Sequence, residues 1–300
     1  MERGAEAKNM SPELAALNDP EHLWTAETVY RPDLFKGRVA LVSGAGSGIG
    51  RACALLFARL GAKLVICGRT PEKLEVVADF IRGKGGEVLV VPTNVREPEQ
   101  VDALFAKAHA HYGRIDYTVN NAGGQFPQNA IDYAPKGWNA VINNNLNGTW
   151  LMMQRAAQYW RDQGGAAQSG MAGSICNIVV VIERGMPGVA HTVAARAGII
   201  GATRTVAVEW APLGIRVNCV APGLTATEGL EVYPPEAQKE FPLANPLKRP
   251  GTPMEIAEAC IYLSASSGSF VTGEVLTVDG GGKLWGELWT AGRPDYYKLG

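Results

Sequence analysis

Short apolar runs alternate with segments of helical spacing from Arg38 to Val278, and this alternation constrains the fold more than any other feature. The apolar runs predict strands at Arg38–Ser43, Lys63–Cys67, Glu87–Val91, Ile115–Val119, Ser174–Val181, Ile215–Val220 and Glu274–Val278. The segments between them predict helices at Gly50–Leu60, Pro71–Arg82, Glu97–Tyr112, Trp138–Trp160, Thr192–Ala211 and Pro253–Ser264. Strands joined through helices at this spacing form parallel sheets with right-handed crossovers. We therefore predict a three-layer α/β/α fold with a doubly wound, parallel, seven-stranded sheet.

The chain is expected to form one domain, residues 37–282, with a short segment at each end. Residues 1–36 are polar with scattered aromatic side chains, and we interpret them as an arm on the surface of the domain or of a neighbouring subunit. Residues 224–251 contain five prolines and follow a strand, so they predict a long irregular segment that acts as a lid. The tail, residues 283–300, carries four aromatic side chains. We expect them either to cover the active site of a neighbouring subunit or to pack on their own subunit.

The composition argues against several classes of partner. Only 19% of the residues are charged, the formal net charge is −1, and no basic run is long enough to follow a nucleic acid. The longest apolar run, Ala52–Ala58, is far too short to span a membrane, and Met1–Lys8 lacks the apolar stretch of a secretory signal. The five cysteines are odd in number and contain no C-x-x-C pair, which predicts buried free thiols in a cytoplasmic protein without a metal site.

A glycine-rich turn joins the first predicted strand to the first predicted helix, with Gly44, Gly48 and Gly50 in the pattern G-x-x-x-G-x-G. Glycine permits a tight turn and a close backbone approach, and the helix N-terminus offers unpaired N–H groups to a pyrophosphate. Glycine-rich turns of this kind also occur for packing reasons. In this alternation of strands and helices, the turn predicts the dinucleotide site of a Rossmann fold.

The end of the second predicted strand indicates which dinucleotide is bound. It reads Cys67-Gly68-Arg69-Thr70 and lacks the carboxylate that would bind the ribose 2′-hydroxyl of NAD. Arg69 can instead pair with a 2′-phosphate, with help from Arg51 or Thr70. The alternative is that Arg69 is a solvated loop cation. We expect NADP(H) as the cofactor.

Together these motifs resemble the short-chain dehydrogenase/reductase family over residues 36–282. The residues that carry the resemblance are Ser43-Gly44-x-x-x-Gly48-x-Gly50, Asn94-Val95, Asn120-Asn121-Ala122-Gly123, Asn145, Arg216-Val217-Asn218-x-Val220-Ala221-Pro222-Gly223 and Gly273…Val278-Asp279-Gly280-Gly281. The resemblance also implies a homotetramer, built through the helices predicted at Trp138–Trp160 and Thr192–Ala211 and through the C-terminal strand region.

The resemblance gives roles to individual residues. Asn94 and Val95 would flank the adenine, Asn121–Gly123 would back the adenosine half, and Pro222–Thr225 would meet the nicotinamide, with Thr227 near its carboxamide. The expected cofactor-binding residues are therefore Gly44, Ser47, Gly48, Ile49, Gly50, Arg69, Asn94, Val95, Asn121, Ala122, Gly123, Arg196, Pro222, Gly223, Leu224, Thr225 and Thr227. Asn145 would hold a structural water in a proton relay; otherwise it makes capping or packing hydrogen bonds within its helix.

The catalytic centre departs from the family pattern, which is a serine followed by Tyr-x-x-x-Lys. Arg196 falls on the lysine, Thr192 on the tyrosine and Val180 on the serine. A threonine hydroxyl is a far weaker acid than a phenol, and an always-charged arginine cannot relay protons as lysine does. Oxidation of an ordinary alcohol would therefore need another base. His191 is the nearby candidate, and the alternative is that it is a satisfied or surface histidine.

Reduction of a carbon–carbon double bond conjugated to a thioester makes smaller demands on this centre. Hydride goes to the β-carbon, and the charge that collects on the carbonyl oxygen needs fixed positive charge and donors, which Arg196 and Thr192 can supply. The residues around them, with Gly123-Gly124-Gln125-Phe126, resemble the branch of 2,4-dienoyl-CoA reductases, peroxisomal trans-2-enoyl-CoA reductases and citronellol/citronellal dehydrogenase-like proteins. We predict an NADPH-dependent reductase of a small-molecule 2-enoyl-CoA or dienoyl-CoA thioester.

Two other functions stay open at this point. One is a carbonyl or alcohol oxidoreductase in which His191 or a lid residue such as Tyr233 is the acid–base group. The other is an NADP-binding protein with little turnover, which keeps the fold for assembly or sensing.

Overall fold

The structure, a computed structural model, describes residues 12–165, 172–234, 237–238 and 240–284. Its strands are β1 (Val39–Ser43), β2 (Lys63–Gly68), β3 (Val88–Pro92), β4 (Tyr117–Asn120), β5 (Gly173–Ile178), β6 (Ile215–Pro222) and β7 (Val275–Val278). Its helices are α1 (Pro12–Leu17), α2 (Pro20–Thr25), α3 (Gly48–Arg59), α4 (Pro71–Gly83), α5 (Pro98–Tyr112), α6 (Pro135–Ile142), α7 (Gly148–Asp162), α8 (Ala190–Glu209) and α9 (Pro253–Ser264).

The strands form one parallel seven-stranded sheet in the order β3-β2-β1-β4-β5-β6-β7. This confirms the predicted doubly wound sheet. The order of the strands reverses between β1 and β4, and open α/β sheets bind ligands outside the carboxyl ends of their strands at such a reversal. The turn after β1 and the asparagine motif after β4 therefore meet at one edge.

Both faces of the sheet are buried under helices. Ala40 and Val42 of β1 belong to one apolar cluster, which includes residues of α3 and α9, whereas Val39 and Leu41 belong to another, which includes residues of α5 and α7. This arrangement explains why the strands read as continuous apolar runs, because the inner strands β1, β4, β5 and β6 are buried on both faces.

The cysteines agree with the expectation from the sequence, since all five are buried and unpaired. In the part of the chain that the structure describes, no helix has the length and apolar character needed to cross a membrane.

Two predicted elements have different bounds. The helix predicted at Trp138–Trp160 begins at Pro135 and is widened into a π-helical turn at Asn143–Asn147, between α6 and α7. Turns of this kind often occur at functional sites, and this one contains the three successive asparagines. The strand predicted to continue to Val181 ends at Ile178. The Val179 N–H still donates to the Val220 carbonyl oxygen, and beyond that hydrogen bond the chain leaves the sheet.

The described part of the N-terminal arm, residues 12–36, contributes to the core. Leu23 and Phe35 are each 1% exposed and lie in the apolar cluster that includes α3. The Phe35 ring centroid is 4.9 Å from that of Phe57 and 5.0 Å from that of Tyr117. The polar composition of the arm gave no indication of these two anchors. The aromatic residues of the predicted tail lie outside the described residues.

Replacement of Phe35 by alanine should show that the arm stabilises the domain. Removing a buried phenylalanine side chain typically costs about 3–5 kcal/mol of unfolding free energy. We expect Phe35→Ala to lower the midpoint of denaturant unfolding clearly, whereas Phe270→Ala, at a fully exposed position, should leave it unchanged. Equal midpoints for Phe35→Ala and wild type would show that the arm is not part of the folded unit.

Candidate active site

The turn after β1 brings α3 very close to the ends of β1 and β4. A Cβ on Gly50 would collide with the Gly44 carbonyl oxygen and with Nδ2 of Asn121. The Asn121 side chain donates to the carbonyl oxygens of Ser43 and Gly44, at 3.2 Å each, and so ties the start of α3 to the end of β4. Gly44 and Gly48 have φ angles of 66° and 51°, in the left-handed region that glycine adopts without strain.

A cleft bordered by six glycines opens over this turn, and we call it the glycine-lined cleft. The predicted cofactor residues that line it are Gly44, Ser47, Gly48, Ile49, Arg69, Val95, Asn121, Ala122, Gly123 and Thr227. Gly50 does not line it and instead makes room for the close approach of α3. Asn94 does not line it either, because its side chain donates to Glu97 and accepts from Arg96.

Lys73 is a cleft residue that sequence reasoning missed. It lies in the first turn of α4 and lines the glycine-lined cleft together with Arg69, so two cationic residues border this cleft. The signal was available, because residues in the first turn of a helix that follows β2 are close to the end of that strand.

Glu228 is a second residue that was missed, and it carries a negative charge into the same cleft. Its Oε2 accepts from the Gly48 N–H at 3.0 Å, at the N-terminus of α3. Its Oε1 forms a salt bridge with Arg51, which is therefore engaged with a carboxylate and not directed to a 2′-phosphate. An anionic side chain thus lies where a pyrophosphate is expected to bind.

A second cleft adjoins the first and shares Ile49, Thr227 and Gly229 with it. We call it the valine-lined cleft because three successive valines, 179–181, form part of its wall. The residues predicted to meet the nicotinamide also line it, namely Pro222, Gly223, Leu224 and Thr225. The lining is mostly apolar, so the cleft is suited to a hydrocarbon group.

The structure brings Asn145 and Thr192 together beneath the clefts. Asn145 Nδ2 donates to Thr192 Oγ1 at 2.8 Å and to the Gly124 carbonyl oxygen at 2.9 Å, and its Oδ1 accepts from the Gly124 N–H at 3.0 Å. Asn145 is fully buried and Thr192 is 1% exposed, and neither lines a cleft. The threonine hydroxyl is therefore too deep to meet a ligand directly.

Arg196, which was also predicted to bind the cofactor, is buried and lines neither cleft, but it contacts one residue of each. Its Nη1 donates to the carbonyl oxygen of Ile178, a residue of the valine-lined cleft, at 2.5 Å. Its Nη2 lies against Gly123 of the glycine-lined cleft, where a Cβ would collide with it. Burial lowers the pKa of the guanidinium to about 10, so it stays charged at neutral pH. Among the described residues no carboxylate forms an ion pair with it.

His191 lies away from both clefts. It is fully buried between the rings of Phe126 and Tyr133, at centroid distances of 4.7 and 4.6 Å. Its Nδ1 accepts from the Thr192 N–H at 2.8 Å, and burial lowers the pKa of the imidazole. This surrounding favours a neutral histidine that positions the start of α8.

The chain is similar to known proteins over most of its length. Residues 44–283 match the protein family described as enoyl-(acyl carrier protein) reductase. The chain is 37% identical to a 3-oxoacyl-(acyl-carrier-protein) reductase of Thermotoga maritima, over 82% of this chain and 98% of that one. It is 36% identical to a peroxisomal 2,4-dienoyl-CoA reductase of Rattus norvegicus, over 84% of this chain and 86% of that one.

A solved structure with the same fold is the citronellol catabolism dehydrogenase of Pseudomonas aeruginosa. Its sequence is 38% identical to this chain, and the two structures superpose with a TM-score of 0.75. The match covers 86% of this chain and 100% of the dehydrogenase.

The carboxylate of Glu228 should oppose cofactor binding. A charge at a helix N-terminus contributes about 0.3–1 kcal/mol, so we expect Glu228→Gln to lower the Kd of NADPH by roughly two- to fivefold. Fluorescence titration measures this, with Glu231→Gln in the same 3-10 turn as the matched control. Weaker binding by Glu228→Gln would mean instead that the carboxylate supports the bound geometry.

Proposed function

Because this chain belongs to the short-chain dehydrogenase/reductase family, we propose that it is an NADPH-dependent reductase of carbon–carbon double bonds conjugated to a thioester, with 2-enoyl-CoA or 2,4-dienoyl-CoA as substrate. The observation that carries this proposal is the buried positive charge of Arg196 between Ile178 of one cleft and Gly123 of the other, with no carboxylate partner in the described residues. Such a charge is suited to an anion that forms during the reaction.

The residues of the glycine-lined cleft fit a nicotinamide dinucleotide. Its walls are backbone at Gly44, Gly48 and Gly123, which lets a ligand approach the start of α3, where it would replace Glu228 at the Gly48 N–H. In our proposal Arg69 and Lys73 would hold the 2′-phosphate of NADP(H), and Thr227, which borders both clefts, would help to hold the nicotinamide. When bound, the reduced nicotinamide supplies hydride.

The protein's own residues would stabilise the charge that forms on the substrate. As hydride reaches the β-carbon, negative charge collects on the thioester oxygen. The guanidinium of Arg196 is already desolvated and fixed through Ile178, so little reorganisation is needed when that charge appears. Asn145 holds Thr192 and the Gly124 backbone, and thereby keeps the floor beneath the clefts rigid. The valine-lined cleft accommodates the acyl chain.

A carbonyl or alcohol oxidoreductase is the second candidate. Tyr233 favours it, because its phenol lines the valine-lined cleft and is an acid of the kind that the threonine position lacks. His191 is poorly placed for the same role, since it lies among aromatic rings outside the clefts.

We also propose a homotetrameric, cytoplasmic protein, as expected from the sequence. Val208 on α8 is 78% exposed, which fits a helix that meets a neighbouring subunit. The five buried, unpaired cysteines fit a reducing compartment.

Replacement of Arg69 should change the choice of cofactor. A hydrogen bond to a charged group contributes about 1.5–3 kcal/mol, and because Arg69 is exposed we expect Arg69→Ala to raise the Kd of NADPH by about tenfold. The Kd of NADH should not change, because NADH has no 2′-phosphate. Titration of both cofactors tests this, and equal effects on the two would exclude a role for Arg69 in binding the phosphate.

The proposed reaction is tested by NADPH oxidation with a panel of 2-enoyl-CoAs, dienoyl-CoAs, free enones and aldehydes. We expect turnover with the CoA thioesters. Ready turnover of aldehydes with inert enoyl-CoAs would favour the second candidate. Tight NADPH binding without consumption would indicate a binding protein.

Variants of the altered motif test the role of Arg196. Arg196→Met should lower kcat by about 100- to 1,000-fold, as removal of an oxyanion-stabilising donor does. Arg196→Lys should retain part of the activity because it keeps the charge, and Thr192→Val should have a mild effect because the hydroxyl is buried. Equal, mild effects of Arg196→Met and Thr192→Val would show that this motif is not catalytic here.

A further inference from the structure

The valine-lined cleft contains three ionisable side chains among its described lining residues: Arg184, Tyr233 and Asp279. Asp279 accepts from the backbone N–H groups of Gly281 and Lys283, at 2.9 and 2.6 Å, and so caps the turn in which it lies. Arg184 donates to the Gly282 carbonyl oxygen at 2.6 Å and, as a guanidinium, stays protonated. Of these three side chains, Tyr233 alone both carries a proton that it can donate and has no hydrogen bond to the backbone.

The hydroxyl of Tyr233 is oriented by a neighbour in the cleft. Gln125 Nε2 donates to its Oη at 2.7 Å, so the oxygen acts as an acceptor and its own proton is left for another acceptor. The ring of Phe241 packs edge-on against the phenol, at 5.7 Å between centroids. Burial raises the pKa of Tyr233 above its usual value of about 10, so the phenol is protonated at neutral pH.

Gln125 also connects this phenol to the altered motif. It follows Gly124, whose N–H and carbonyl are both bonded to Asn145, and Asn145 in turn donates to Thr192. The residue that orients Tyr233 is thus held by the same asparagine that holds the threonine in the place of the family's tyrosine.

We propose that Tyr233 is the proton donor of this enzyme and that Gln125 is its positioning residue. The identity of the substrate that accepts hydride and proton rests on the proposed function. Hydride forms a C–H bond at the β-carbon, and the π electrons of the double bond move toward the thioester oxygen. The O–H bond of Tyr233 then breaks and its proton forms a C–H bond at the α-carbon. The acceptor gains the two electrons that the nicotinamide loses, and the phenolate takes a proton from water.

Tyr233→Phe tests the proposal, because it removes the proton and keeps the ring. We expect kcat to fall by about 100-fold or more, as for loss of a general acid, while the KM of the acceptor and the Kd of NADPH stay close to wild type. The protonated form is the active one, so wild-type turnover should fall as pH rises through the raised pKa of Tyr233. Tyr233→Phe should lack the part of this fall that comes from the phenol and keep only the part that comes from deprotonation of Arg196, whose pKa burial lowers to about 10.

Two further variants separate chemistry from structure. Tyr133→Phe is the matched control, because its hydroxyl donates to the Gly188 carbonyl outside the clefts, and its kcat should stay near wild type. Gln125→Ala should give a smaller loss of kcat than Tyr233→Phe. A Tyr233→Phe protein with wild-type kcat, or one that loses NADPH affinity together with kcat, would overturn the proposal.

The result can be read separately from the substrate assignment. If wild type reduces aldehydes and not enoyl-CoAs, and Tyr233→Phe abolishes that activity, the substrate class is wrong and the donor assignment stands. If both proteins reduce enoyl-CoAs equally well, the substrate class stands and the donor assignment is overturned.

Discussion

The close approach of α3 to the carboxyl ends of β1 and β4 is the contact on which the rest of the site depends. Gly50 makes the approach possible, since any side chain there would meet the Gly44 carbonyl. Asn121 then bonds to the Ser43 and Gly44 carbonyl oxygens across the gap. This contact lies where the strand order reverses, at the top of the apolar core. It therefore places the N-terminus of α3 at the base of the glycine-lined cleft. Both clefts take their position from it.

Most of the fold could be predicted from the sequence because its signals are local. A buried parallel strand needs a continuous apolar run, and a crossover helix needs apolar residues at helical spacing, so each element is recorded in its own segment. The exceptions depend on tertiary contacts. The end of β5 at Ile178 is set by its pairing with β6, and the burial of Phe35 is set by the space beside Phe57 and Tyr117.

The candidate site was predictable to a lesser degree, since its motifs indicated which residues come together and not how deep they lie. The glycine turn and the asparagine motif could be placed at one edge from topology alone. The salt bridge between Arg51 and Glu228 joins residues far apart in the chain, so no local pattern could reveal it. The motif likewise identified Thr192 as the substitute for a tyrosine, but a threonine is too short to reach the cleft from that backbone position.

The burial of Arg196 is the strongest physical argument about chemistry. A buried charge without an ionic partner destabilises the folded state, and an apolar side chain of similar volume at such a position is often neutral or stabilising. The guanidinium spans from Ile178 to Gly123, so its charge lies against one residue of each cleft. With Thr192 buried, these residues offer a ligand positive charge but no group that gives up a proton readily at neutral pH. A reaction that forms an anion first and takes its proton from another residue suits that arrangement, and Tyr233 lines the valine-lined cleft.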